Sequence, residues 1–179
     1  MNKNLKLNIG TTLWTLTSKE IRRFMRIWVQ TLVPPAVTMT LYFVIFGSLI
    51  GPRIGEMDGF DYVQFMIPGL IMMSVITGSY ANVVSSFYSV KFQKSIEELL
   101  ISPMPNWVIL LGFILGGVTR GILVGIIVFC VSLFFYPEFQ IANIGLTITV
   151  LLLTSVLFAL MGFINAVSVS YTHLRAHET

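Results

Sequence analysis

The sequence predicts an all-α fold, a polytopic bundle of transmembrane helices, and three observations carry that expectation. Hydrophobic residues fill 55% of the 179 positions and charged residues only 11%. A soluble domain carries roughly 25% charged residues, so this chain cannot cover itself with polar side chains; its mean hydropathy is +0.85. The apolar residues gather into four long runs, near the ~20 residues a helix needs to cross a bilayer. Backbone in lipid must be satisfied within its own segment, which selects helices, and the runs lack the short alternation of a membrane barrel. Finally, the charge of the intervening segments alternates, as four crossings require.

The first run extends from Ile27 to Ile50 and contains Pro34-Pro35. Prolines are tolerated in membrane helices where neighbours re-satisfy the carbonyls they free, so a kink is expected there. The second run covers residues 62–88 and carries Pro68-Gly69 near its start, then Thr77, Ser79, Asn82, Ser85 and Ser86. Such polar residues either join helices by hydrogen bonds or face water in a cavity. The third run covers 107–136, closed by Pro137, and the fourth 144–167. Short connections make consecutive helices antiparallel neighbours. No internal repeat, low-complexity tract or interdomain linker interrupts them.

Basic residues set orientation. Lys3, Lys6, Lys19, Arg22, Arg23 and Arg26 precede the first span, and Lys91 and Lys94 flank the second connection. The first connection holds Arg53 against Glu56, Asp58 and Asp61; the third holds Glu138 alone. The positive-inside rule therefore places the N-terminus and second connection in the cytoplasm. Basic residues beside spans account for the pI near 9.2 without nucleic acid, which is not expected as a partner. Met1–Glu20 lacks the apolar core and small-residue cleavage site of a signal peptide. The single Cys130 lies in an apolar run and excludes an intrachain disulfide.

Ahead of the first span, Thr17 and Glu20 have capping-box spacing, which predicts a helix start there. Ile21, Phe24, Met25 and Trp28 then recur at i, i+3, i+4 and i+7 and share a face. Lys19, Arg22, Arg23 and Arg26 line much of the remainder, predicting a basic amphipathic helix in the cytoplasmic interface. It serves as a positive-inside anchor, a moving part, or both.

Between the second and third spans, VKFQKSIEELLISPMPNW (Val90–Trp107) is too polar for lipid and too patterned for a plain turn. Ile96, Leu99 and Leu100 fall at helical spacing, Glu97 and Glu98 face elsewhere, and Pro103 and Pro105 stop the helix. A short amphipathic helix held between two spans can carry a push from a soluble partner into the bundle; it can equally be an interfacial loop with none.

This segment resembles the intracellular loop of ABC-2 type permeases, in which an acidic residue and a Leu-Leu pair precede Ser-Pro: here Glu97-Glu98-Leu99-Leu100-Ile101-Ser102-Pro103. Lys19-Glu20-Ile21-Arg22-Arg23 and Phe65-Met66-Ile67-Pro68-Gly69-Leu70 fit the family in the same order, and the match runs from about Ser18 to Val167. The resemblance implies six spans per subunit, four of them present in a partial permease domain at residues 1–168. It further implies a homodimer in the bacterial inner membrane and a cytoplasmic ABC ATPase docking on Glu97, Glu98, Leu99, Ser102 and Pro103. One departure stands out: family members often carry Gly-Lys early in the third span, whereas Gly112 is followed here by Phe113. A membrane scaffold or channel without an ATPase is the alternative.

Chemistry of other kinds is absent from the sequence. There is no G-x-x-x-x-G-K-[ST] phosphate loop, so ATP hydrolysis is expected in a separate chain. His173 and His177 lie at the far end, no paired aspartates occur in a span, and neither catalytic residues, metal nor cofactor is expected. Arg120 is the one fixed charge inside a span, about 20 Å along it if counted from Trp107 or about 12 Å from Gly112. An interior position paired with backbone carbonyls or polar second-span groups is expected, with substrate contact as the functional alternative. Gly117, Gly121 and Gly125 beside it form a small-xxx-small stripe for close helix packing. Residues 169–179 (VSYTHLRAHET) read as translated library-adapter sequence, so a non-native tail is expected there, replacing two further spans.

Overall fold

In the first helical segment the apolar positions fall on one face and the cations on another, and the chain responds with a helix longer than its cap signal implied. The computed structural model describes residues 8–57, 59–93, 95–137, 139, 141 and 143–175. Lys3, Lys6, Asp58, Lys94, Glu138 and His177 lie outside these, as do the side chains of Glu56, Leu100, His173 and Arg175. Helix α1 runs Ile9–Arg26. The carbonyl of Asn8 accepts from Thr12 N at 3.0 Å and from Thr11 Oγ1 at 2.8 Å. Thr17 and Glu20 are therefore not a capping box: both are buried mid-helix. The predicted apolar face is corrected too. Leu16, Thr17, Glu20 and Phe24 are buried, while Met25 and Trp28 stay exposed.

Ile27, at φ −114° and ψ 35°, breaks the helix. Helix α2 (Trp28–Tyr42) then passes through Pro34 and Pro35, widens into a π-helical segment (Phe43–Ile50), and ends in the short α3 (Gly51–Ile54). Departures from α geometry thus flank the prolines instead of falling on them. A hairpin of β1 (Glu56–Met57) and β2 (Phe60–Asp61) follows, pairing Glu56 with Asp61. Gly59 at φ 80° makes its turn, a conformation open to glycine without steric cost. These are the only strands among the described residues, so the all-α expectation needs only this addition.

Helices α4 (Tyr62–Phe92), α5 (Ser95–Ile101), α6 (Asn106–Phe135) and α7 (Ile144–Arg175) complete the chain. Four segments are long and apolar enough to cross a membrane: Trp28–Ile54, Tyr62–Phe92, Asn106–Phe135 and Ile144–Ser168. The backbone of α7 continues through residues 169–175, the start of the expected tail.

Helices α4 and α6 form the centre. One apolar cluster joins Val83 and Phe87 of α4 to Phe113 and Val118 of α6 and Ala159 and Ala166 of α7. A second joins Leu32 and Met39 of α2 and Phe43 to Ile67 and Leu70 of α4 and Val124 and Val128 of α6. Lipid tails are as apolar as leucine, so close packing and interhelical hydrogen bonds must hold such helices together. The sequence supplies both. A Cβ on Gly117 would lie 2.5 Å from Val83 Cγ2 and 3.0 Å from Ser79 O. One on Gly121 would lie 3.0 Å from Val75 O, and one on Gly125 2.6 Å from Val75 Cγ2. The partners fall in number as the glycines rise, so α4 and α6 are antiparallel. On α7, the buried stripe Ser155, Ala159, Gly162 and Ala166 meets α4, and Ser155 Oγ lies 2.9 Å from Ser79 Oγ.

Candidate functional site

Two amphipathic helices attach to one end of this bundle, and they do so by different means. Helix α1 sits over a groove on α6 that glycine creates. A Cβ on Gly112 would come within 2.3 Å of Leu16 Cδ2, and one on Gly116 within 2.6 Å of Glu20 Cβ. Both helices advance four residues between these contacts, so they run locally in the same direction. The groove lets the Glu20 carboxylate reach α4, where it accepts a hydrogen bond from Ser86 Oγ. Arg23 Nε donates to Glu20 Oε2 at 3.3 Å, and its Nη2 reaches Asn82 Oδ1 at 3.1 Å and Asn82 O at 3.2 Å.

Glu20 is 1% exposed and Asn82 and Ser86 are 0%, so the carboxylate and its α4 partners lie out of water's reach, while Arg23 keeps 30% exposure. A carboxylate is tolerated at such a site only when paired and hydrogen-bonded, and removing one partner is far costlier than the pair is stabilising. Sequence reasoning missed the cluster because Glu20 was assigned to a cap. The available signal was a single acid between cations, opposite the polar residues of the second span. Those residues divide: Ser79, Asn82 and Ser86 bond across helices, whereas Thr77 and Ser85 bond within α4.

Arg120 meets the consequence of the prolines. In an α-helix the carbonyl of residue i accepts from the N–H of i+4, and Pro35 has no N–H to offer Thr31. Arg120 Nη2 donates to Thr31 O at 3.4 Å. The hydroxyl of Thr31 meanwhile lies 3.2 Å from Phe24 O and 3.2 Å from Ile27 O, filling the break between α1 and α2. Thr17 Oγ1, Asn82 Nδ2 and Arg120 Nε are buried without a protein partner.

Helix α5 is attached through apolar contacts. Ile96 and Leu99 pack on the cluster around Phe87 and Phe113, while Glu97 and Glu98 are exposed. The two acids occupy the first turn, where the helix dipole favours negative charge. Ser102 N donates to Glu98 O at 3.2 Å, Pro103 is exposed, and Pro105 in extended conformation starts α6. At the other end Lys91 Nζ donates to Val167 O at 3.2 Å, tying the end of α4 to α7. Phe92 and Ile101, 81% and 84% exposed, leave apolar surface beside the acids; neither was singled out from sequence, although Ile101 follows the Leu-Leu pair directly.

The structure therefore gathers Glu97, Glu98, Leu99, Ser102 and Pro103 on and just after α5, and Lys19, Arg22, Arg23 and Arg26 on α1. The two helices border one groove: Leu16 and Lys19 of α1 line a space of about 370 Å³ together with Leu99 of α5 and Met104. Gly117, Gly121 and Gly125 face α4, away from this groove, and Arg120 sits apart at the α1–α2 break. Among the described residues no group of three His, Cys, Asp or Glu side chains could hold a metal ion.

The described residues thus form a helical bundle with four segments able to cross a membrane, an amphipathic entry helix and a short helix held between the two central spans. The ABC-2 type transporter family model matches residues 11–174, and the chain belongs to that family. It is 61% identical over 153 residues to the protein called inner membrane transport permease YadH in Escherichia coli K12, covering 86% of this chain. The same figures hold for the proteins of that name in Escherichia coli O157:H7 and Shigella flexneri. The chain spans 59% of the length of these relatives. No solved structure matches it.

Proposed function

We propose that this chain is the membrane-spanning part of a permease subunit of an ATP-binding cassette exporter. It moves a substrate across the bacterial inner membrane, with ATP hydrolysed by a separate cytoplasmic chain. The observation that carries this reading is α5: Ile96 and Leu99 root it in the α4–α6–α7 core while Glu97, Glu98 and Ile101 face outward. Only residues 93 and 94 separate α5 from α4 and only residues 102–105 separate it from α6. A push on α5 therefore acts on the ends of both central helices at once. Since α4 approaches both α6 and α7 to backbone contact along their glycines, these three helices shift as a unit against α2. Family membership and the transport permease name of the relatives support the same reading, in which two copies of the permease pair with two ATPase subunits.

Affinity purification from a strain expressing the chain tests this. An ATPase carrying a phosphate loop is expected to co-purify, and Glu97→Ala/Glu98→Ala is expected to lose it. Purification without any such ATPase would favour a scaffold or channel, and its retention by the double variant would remove the assigned role of the two glutamates.

A further inference from the structure

We propose that the outer face of α1 is a binding site for the phosphate-bearing headgroup of an anionic phospholipid. Along this face lies an open groove of about 630 Å³ whose lining includes Trp14, Ser18, Lys19, Arg22, Arg23 and Arg26. Its size falls within the ~300–1,000 Å³ of clefts that hold small ligands. Four of these residues are cations, and no carboxylate lines the groove. The single acid of α1, Glu20, is turned the other way, bonded to Ser86 and 1% exposed.

Turning Glu20 inward thus does two things: it anchors α1 to α4, and it strips the outer face of its countercharge. Arg23 joins the two sides, lining the groove while its Nε and Nη2 hold Glu20 and Asn82. Its charge is committed inward. The side chains of Lys19, Arg22 and Arg26 are exposed, and they leave the groove positive.

Position selects a lipid over a soluble anion. Helix α1 leads directly into the first membrane-crossing segment, which starts at Trp28, and the proposal sets the groove among the headgroups. Trp14 on its wall is 70% exposed, and Trp28, at the start of that segment, is 53% exposed; tryptophan is enriched at membrane–water interfaces. Guanidinium groups present planar donors that match phosphate oxygens, and basic clusters on an amphipathic helix next to a span attract anionic lipid. The inference rests on the membrane-spanning reading of the chain and is independent of its ATPase.

The test is lipid retention by the whole chain in nanodiscs of phosphatidylcholine and phosphatidylglycerol in equal amounts, read by native mass spectrometry after mild delipidation. The unsubstituted protein is expected to retain phosphatidylglycerol preferentially. Arg22→Gln/Arg26→Gln should weaken that retention roughly 30-fold, from the typical attraction per cation near an anionic surface. Lys19→Gln should weaken it roughly 5-fold, and Arg53→Gln, at the other end of the first span, should leave it unchanged. Both substituted arginines are exposed, and an unchanged unfolding midpoint confirms that the fold is kept. Equal retention of both lipids by the unsubstituted protein, or full preference in the double variant, would overturn the proposal. Excess inorganic phosphate is expected not to displace the lipid; displacement would overturn the assignment to a lipid headgroup.

Discussion

Helices α1 and α5 are both amphipathic, both carry charge outward, and both attach at the same end of the bundle, yet they are fastened in opposite ways. Helix α1 lies in a glycine-made groove and is pinned by a buried carboxylate that reaches α4. Helix α5 is held by Ile96 and Leu99 alone among its described side chains and leaves Glu97, Glu98 and Ile101 in the open. Interactions with buried charge tolerate little displacement, whereas apolar contacts are non-directional and can slide. On the proposed reading the difference divides the labour: α1 would be a fixture of the bundle, and α5 the surface offered to a partner.

The contrast breaks first at Gly116. Gly116→Val would drive its side chain into Glu20, unseat α1 and cost about 3 kcal/mol, the upper end of overpacking, read from the unfolding midpoint in detergent. Next in size is Glu20→Ala, which strands Arg23 and Ser86. Because Arg23 is 30% exposed and partly relieved by solvent, about 2 kcal/mol is expected, below the range for fully buried pairs. Limited proteolysis should then cut within α1 before it cuts α5.

A smaller effect, about 1 kcal/mol, is expected for Arg120→Ala, which leaves Thr31 O without its donor. Here a double-mutant cycle sharpens the cause. Pro35→Ala restores an N–H that Thr31 O can accept, so Arg120→Ala should cost measurably less in that background. Equal costs in both backgrounds would show that Arg120 acts on something else, and unchanged transport and assembly in Arg120→Ala would remove a role in transport. The smallest change in stability, within about 0.5 kcal/mol, belongs to Glu97→Ala/Glu98→Ala, since both side chains are exposed.

The same contrast explains what the sequence made legible. The spans were readable because a bilayer demands a length of apolar residues that little else produces, and their bounds agree with the helices to within a few residues. Helix α5 was readable because its apolar spacing and flanking prolines are local signals. Helix α1 was misread for a physical reason: Thr17 and Glu20 at i and i+3 fit a cap as well as they fit one buried face. Only the fold brings Ser86, sixty-six residues on, to the carboxylate. The sequence marks Gly117, Gly121 and Gly125 as a packing stripe but gives no role to Gly112 and Gly116; in the fold the stripe faces α4, while Gly112 and Gly116 face α1. Pro35 and Arg120, 85 positions apart, show no link until Thr31 O stands between them.

Hydrogen exchange in nanodiscs, with and without the co-purifying ATPase, tests most directly whether α1 is a fixture and α5 the docking surface. Residues 14–26 should be protected in both states, and residues 95–104 should gain protection only when the ATPase is bound. Protection gained by residues 14–26, with residues 95–104 unchanged, would contradict it.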